Sequence, residues 1–480
     1  MADQDNHHEK APTGGRDHTP LPILSPGFTL RITIHRAENL PISDVSSLSS
    51  DPYVRLLLET SVPPRHREDP ELTFRTPTVR RNTNPTWDAQ WVVANIPETG
   101  FRLKCRLLDE DIDHDDRLGS VHVTVDHVYE GWEGINKEPF KVRKRGGSKR
   151  AYLMRSVAAA CVKDKDISAT LWLSVECLGR TDDKEGGRVY TLGPNRWTQH
   201  FSRLIGRLIG TKTGGNETEA DQMTTYNFQA IQLQLTGPVP WRLYHRYVDF
   251  KPFIGHVFTS NNIGGFVLNR ALHHQHSRIY SYDRQTQYGV CDSAESVAKK
   301  FLDFVSYADG GKIFTYVITL DGEWRFTETG KEFGIDMLSK HSMHSDVAIY
   351  IAFSGEFFVR RRKGHRRSSS RRSTMEEVIT SENDPSHYEL FIDNESGTYR
   401  PDTDLLPVLQ EFISKNLPGI KVKAIDVQSE ELQEMKKEQR KKKQEMGRGI
   451  AYMQRSPSSS SVSSSDLEEL NDRVEHLQPE

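Results

Sequence analysis

No stretch of this sequence strings together the ~20 apolar residues that a membrane-spanning helix needs. The opening residues Met1-Ala2-Asp3-Gln4-Asp5-Asn6-His7-His8 contain no apolar signal segment, so a cytoplasmic chain is expected. Cysteine is scarce: there are four in 480 residues (Cys105, Cys161, Cys177, Cys291), none in Cys-x-x-Cys spacing, which excludes the usual zinc and redox patterns. The sequons at Asn216 and Asn394 are read as chance matches, because no secretory signal accompanies them. A large excess of one charge is missing too. The net charge of −3 leaves no global field to recruit nucleic acid, and basic charge is local, at Arg360 to Arg372 and Lys436 to Lys443. Gly-x-Ser-x-Gly, a phosphate-cradling Gly-rich loop and the kinase signatures are all absent. Cys291 with His341 or His344 and Asp346 could form a nucleophile set, but a chain this long supplies such residues by chance, so no catalytic residue is assigned. The histidines at 273, 274 and 276 and the pair His341 and His344 lack the His-Glu-x-x-His pattern of a zinc site.

What the chain does have is crowded acid. Leu107-Leu108-Asp109-Glu110-Asp111-Ile112-Asp113-His114-Asp115-Asp116-Arg117-Leu118-Gly119 packs five aspartates into a loop after an apolar strand end. Ionised carboxylates this close repel one another, and a hard cation that accepts six to eight oxygens, Ca²⁺ above all, offsets that cost. A second acidic loop lies upstream, where Asp44 and Asp51 flank a serine-rich stretch and Asp51 opens Asp51-Pro52-Tyr53-Val54. Two such loops could share one site.

Three elements in order, Leu40-Pro41 to Asp51-Pro52-Tyr53-Val54, then Arg81-Asn82-Thr83-Asn84-Pro85-Thr86-Trp87, then Asp109-Glu110-Asp111 with Asp116-Arg117-Leu118-Gly119, resemble a C2 domain. That family is the Ca²⁺-dependent phospholipid-binding sandwich of protein kinase C, synaptotagmins and cytosolic phospholipases. The resemblance covers about a third of the chain and implies Ca²⁺ ligation by Asp44, Asp51, Asp109, Asp111 and Asp116, or Asp115 in place of the last. The gap from Asp44 to Asp51 is one residue longer than the family pattern. In relatives a basic strand before the Asn-x-Asn-Pro turn binds lipid head groups, which implies lipid contact for Arg75, Arg80 and Arg81; an ordinary solvated strand face is the competing reading.

Patterning sets the organisation. Residues 1–25 are polar and expected to be disordered. Phe28, Leu30, Ile32 and Ile34 alternate with polar residues, as do Leu103 to Leu107, Val121 to Val125 and Leu171 to Cys177, so residues 26–180 are expected to form an all-β antiparallel sandwich. With no strand before Phe28 and a good one at Thr170 to Cys177, the phospholipase-type permutation of the C2 fold is expected. Residues 181–225 read as a linker followed by a basic amphipathic helix through Trp197, Phe201, Leu204, Ile205, Leu208 and Ile209. A separate α+β domain is expected over 226–428, with an N-cap at Ser293, a hairpin closed at Asp321-Gly322, and a basic disordered loop at 360–384. Arginines precede Ser369, Ser373 and Thr374, which are candidate phosphorylation sites. Residues 429–480 read as a solvated charged helix and a serine-rich disordered tail.

The whole arrangement, with Ser354-Gly355-Glu356-Phe357 and Ile392-Asp393-Asn394-Glu395-Ser396-Gly397-Thr398-Tyr399 after the sandwich, resembles a group of C2-domain proteins of filamentous fungi. That likeness implies organisation and no chemistry. The expected function is Ca²⁺-dependent binding to anionic phospholipid membranes, peripheral and reversible, which recruits a second domain of unknown activity. The rival readings are a lipid-acting enzyme localised by its C2 domain and a Ca²⁺-independent protein-binding adaptor.

Overall fold

The computed structural model describes residues 15–21, 25–43, 49–66, 69–111, 115–143, 168–182, 187–201, 229–246, 286–329, 350–362, 384–395 and 400–446. After a two-residue strand β1 (Gly15–Arg16), the alternating runs become long strands: β2 (Phe28–Glu38), β3 (Pro52–Thr60), β4 (Leu72–Arg75), β5 (Thr86–Ile96), β6 (Phe101–Asp109), β7 (Asp116–Val125), β8 (Ile135–Lys141), β9 (Thr170–Arg180) and β10 (Tyr190–Gly193). They pair antiparallel into two sheets, ordered β10-β5-β2-β9-β8 and β4-β3-β6-β7. Phe28, Leu30, Ile32 and Ile34 face the inner side with no exposed surface, against Trp91, Leu103, Leu107, Leu171 and Val175. Burying each contributes about 2 kcal/mol. The first long strand, β2, lies beside β9, the last of the expected sandwich strands.

The second unit starts earlier than its composition suggests. β10 belongs to the sandwich, while β11 (Asn195–Phe201) enters another sheet, so only Pro194 separates the two. This corrects the expected 181–225 linker and helix: Trp197 alternates along a strand, pairing with Leu233 on one side and Gly289 on the other. The apolar spacing 197–201 fits a period of two as well as one of 3.6, and sheet pairing decides between them. Residues 202–228, the rest of that segment, lie outside the described residues.

An eight-stranded mixed sheet follows, ordered β14-β11-β12-β16-β15-β18-β19-β20. Besides β11 it contains β12 (Gln229–Gln234), β14 (Gln287–Cys291), β15 (Phe314–Ile318), β16 (Glu323–Glu328), β18 (Phe353–Arg361), β19 (Tyr388–Ile392) and β20 (Lys421–Ala424). Among the described strands only β19 and β20 run parallel. On one face lie helices α1 (Ala294–Phe304) and α2 (Leu406–Asn416), over Trp324, Phe326, Phe353 and Phe357. The Ser293 cap is present, with Ser293 Oγ accepting from Ser296 N at 3.2 Å. The β15–β16 hairpin closes through Gly322, whose positive φ of 83° suits a residue without Cβ.

Helix α3 (Glu430–Met446) overturns the expectation of a solvated helix. Leu432 and Met435 pack on Phe358, Phe391 and Ile313 on the opposite face of the sheet, and Lys436 is buried among acids. Its apolar stripe is too narrow to stand out among so many charges.

The expected disorder of residues 1–25 is also corrected at Gly15 to Leu21. β1 pairs with β13 (His245–Arg246), which pairs with β17 (Tyr350–Ile351), so the N-terminal segment adds a strand to the second unit. Asp17 is buried and accepts from Arg65 at 2.9 Å and His66 at 2.7 Å. His66 stacks on Tyr350 with centroids 4.6 Å apart, and Arg65 lies over the rings of Tyr244 and Tyr350. The two units are thereby clasped, and a cavity of about 1000 Å³ lies between them, walled by Tyr53, Arg75 and Glu110 on one side and Arg196, Glu323 and Arg325 on the other. Burial and the guanidinium groups of Arg325 and Arg196 act in opposite directions on Glu323, and the charges win, lowering its pKa. No helix among the described residues is long and apolar enough to cross a membrane.

Candidate functional site

Strand register brings the aspartates to one end of the sandwich. Pro52 pairs with Asp109 across β3 and β6, and Asp109 pairs with Asp116 across β6 and β7. Asp51, Asp109 and Asp116 therefore stand at neighbouring strand ends, although 58 residues separate the first two in sequence. Asp51 N donates directly to Asp109 Oδ1, and Glu110 N donates to the Asp51 carbonyl at 3.0 Å. Asp111 N donates to Asp115 Oδ1 at 3.2 Å, and Ser43 Oγ to Asp116 Oδ2 at 3.3 Å. Asp44 and residues 112–114 lie outside the described residues.

Several carboxylates are engaged by protein donors. Asp51 Oδ1 accepts from Arg81 N at 2.7 Å and Asp51 Oδ2 from Arg80 Nη1 at 3.1 Å. The Tyr53 hydroxyl donates to Asp115 Oδ2, and burial, with Asp115 adding to it, raises the Tyr53 pKa well above the ordinary phenol value. Among the described residues no three acidic, histidine or cysteine side chains converge on a point that could hold a metal ion. By residue type alone this end of the sandwich suits a hard cation: Asp51, Asp109, Asp111, Asp115 and Asp116 are carboxylates, the donors Ca²⁺ takes and thiophilic metals do not.

The arginines are placed differently from the sequence expectation. Only Arg75 lies on the strand; Arg80 and Arg81 belong to the following turn, where Arg81 has a positive φ of 51°. Arg75 covers the Tyr53 ring at 3.6 Å and pairs with Glu110 at 2.5 Å, and Arg80 pairs with both Glu110 and Asp51. Two of the three guanidinium groups, Arg75 and Arg80, are thus committed to acids, and Arg81 is exposed. Glu110 was missed in the sequence, though the signal was there. In an extended Asp109-Glu110-Asp111 run the middle side chain points to the opposite face from its neighbours.

Other candidates fare less well. His273, His274, His276, His341, His344, Ser369, Ser373 and Thr374 all lie outside the described residues. Burial pushes the Cys291 thiol up, away from thiolate character. Asn394 is fully buried, donating to Pro401 O and accepting from Val427 N, so its side-chain amide is committed within the fold.

A two-sheet antiparallel sandwich with acidic loops at one end defines a recognisable class of module. Residues 28–138 match the C2 domain model, and this part of the chain is a C2 domain. Human Extended synaptotagmin-3 is 34% identical over 120 residues, which is 24% of this chain and 12% of that protein, so the likeness spans a small part of its length. Among solved structures, human GIVD cytosolic phospholipase A2 aligns at 18% identity over 36% of this chain and 21% of its own, with a TM-score of 0.24. The C2A domain of plant Extended Synaptotagmin 1 aligns at 16% identity over 33% of this chain and all of its own, also with a TM-score of 0.24.

Proposed function

We propose that the chain is a Ca²⁺-dependent peripheral membrane protein whose C2 domain binds anionic phospholipid and brings the second domain with it. The observation that carries this is the register that sets Asp51, Asp109 and Asp116 at adjacent strand ends. These residues, with Asp111, Asp115 and Asp44, would hold Ca²⁺, which supplies positive charge at a tip that is otherwise acidic. An anionic leaflet is then attracted where it was repelled. Arg81, exposed in the turn beside Asp51, is the arginine best placed to meet a lipid phosphate, while Arg75 and Arg80 support the loop through Glu110.

The test is sedimentation of the full chain with phosphatidylserine-containing vesicles in Ca²⁺ or in chelator. Recovery with vesicles only in Ca²⁺ is expected. Equal recovery in both conditions would favour a Ca²⁺-independent role, and none in either would remove the membrane reading.

A further inference from the structure

The acidic end of the sandwich already contains a cation of its own. Arg80 reaches Asp51 Oδ2 with Nη1 at 3.1 Å and Glu110 with Nη2, so one guanidinium bridges two carboxylates from different loops. An arginine cannot shed its proton to make way for another cation, so it must move. Asp51 Oδ2 cannot serve the guanidinium and a metal ion at full strength together.

Glu110 gives the displaced side chain somewhere to stay. It is nearly buried and also accepts from Arg75 Nη2 at 2.5 Å and from Thr78 Oγ1. Arg75 in turn covers Tyr53, whose hydroxyl holds Asp115. Two aspartates of the site, Asp51 and Asp115, are therefore tied by protein donors to one network centred on Glu110.

We propose that Arg80 is a tethered counter-ion that competes with Ca²⁺ for Asp51 and so sets the Ca²⁺ concentration at which the loops fill. This rests on the reading of the loops as a Ca²⁺ site. Arg80 neutralises Asp51 while Ca²⁺ is scarce, and swings onto Glu110 alone when the ion arrives. Lowered affinity is the cost, and a tip that stays neutralised at resting Ca²⁺ is the return.

The experiment is calorimetric titration of CaCl₂ into the full chain as wild type, R80Q and R80K at fixed ionic strength, with thermal melts in chelator to confirm folding. R80Q should bind Ca²⁺ about ten-fold more tightly or better, since it removes a full charge within hydrogen-bond distance of a ligand. R80K keeps the charge but cannot bridge both carboxylates, and should fall between. Wild-type binding with unchanged or weaker affinity in R80Q overturns the counter-ion role and leaves the Ca²⁺ site standing. No binding in any of the three overturns the site itself and the proposal with it. Should R80Q fail to fold, R80K decides: an affinity equal to wild type counts against competition.

Discussion

Lys436 Nζ lies 2.6 Å from Asp393 Oδ2, with the two side chains only 3% and 1% exposed. Glu356 Oε2 stands 2.7 Å from the same ammonium. One cation on α3 thus serves two carboxylates on the sheet it covers, and burial raises the pKa of Asp393. Replacing Lys436 with Met leaves two acids facing each other out of water. A loss of about 3–5 kcal/mol is expected. Urea unfolding of the full chain would measure it, and a loss under about 1 kcal/mol, the range of exposed pairs, would show that water reaches this trio.

Acid should loosen the junction of the two units through His245. It is fully buried on β13, with Nδ1 facing the carbonyl oxygens of Ala352 at 3.0 Å and Leu243 at 3.2 Å. Burial lowers its pKa from 6.5 to about 4. Between those values the unfolded chain takes the proton and the folded one does not. The stability from neutral His245 is complete above pH 6.5 and is lost as pH falls towards 4, by about 3 kcal/mol in all. Melts between pH 7.5 and 4.5 should show this slope, and His245→Asn should flatten it.

The N-terminal clasp turns on Asp17, whose carboxylate holds Arg65 and His66 against the rings of Tyr244 and Tyr350. The Arg65 side chain is only 1% exposed, so without Asp17 it cannot turn to water and keeps just the longer contact to Asp69 at 3.5 Å. Asp17→Asn should destabilise the chain by about 3 kcal/mol. It should also speed proteolytic cutting ahead of Phe28, because β1 has just two residues with which to hold β13. Wild-type cutting kinetics would mean that strand pairing suffices without the charge.

Asp109→Asn with Asp111→Asn should abolish Ca²⁺-dependent sedimentation and spare the fold. The structural duty of Asp109 is to accept Asp51 N through Oδ1, which an asparagine carbonyl can still do. What is lost is negative charge at the loops. Far-ultraviolet dichroism and melts in chelator would check the fold, and undiminished vesicle recovery in Ca²⁺ would count against these two ligands.

The sandwich core was legible because a strand half buried in a sheet writes its burial into the sequence at period two, as Phe28 to Ile34 does. Trp197 and Phe201 open a helical spacing that runs on to Ile209, yet residues 195–201 form a strand, because sheet pairing on both sides outweighs a local period. α3 reads as solvated in the sequence because Lys436 and Gln439 are polar by type, yet both are buried, Lys436 against Glu356 and Asp393. In the site, aspartate crowding points to a cation and the C2 resemblance supplies the candidate ligands, but the pairing of Arg80 and Arg75 with Glu110 cannot be read from spacing alone.

The sequence by itself determined the C2 sandwich, the hairpin at Gly322 and the cap at Ser293, since each is written in neighbours within a few residues or in a repeating pattern. Only the tertiary structure decided that residues 15–21 clasp the second unit, that β11 follows the sandwich after one proline, and that a guanidinium lies on Asp51. Those contacts join residues far apart in the chain, and a one-dimensional pattern holds no record of which distant charge or strand edge will arrive beside which.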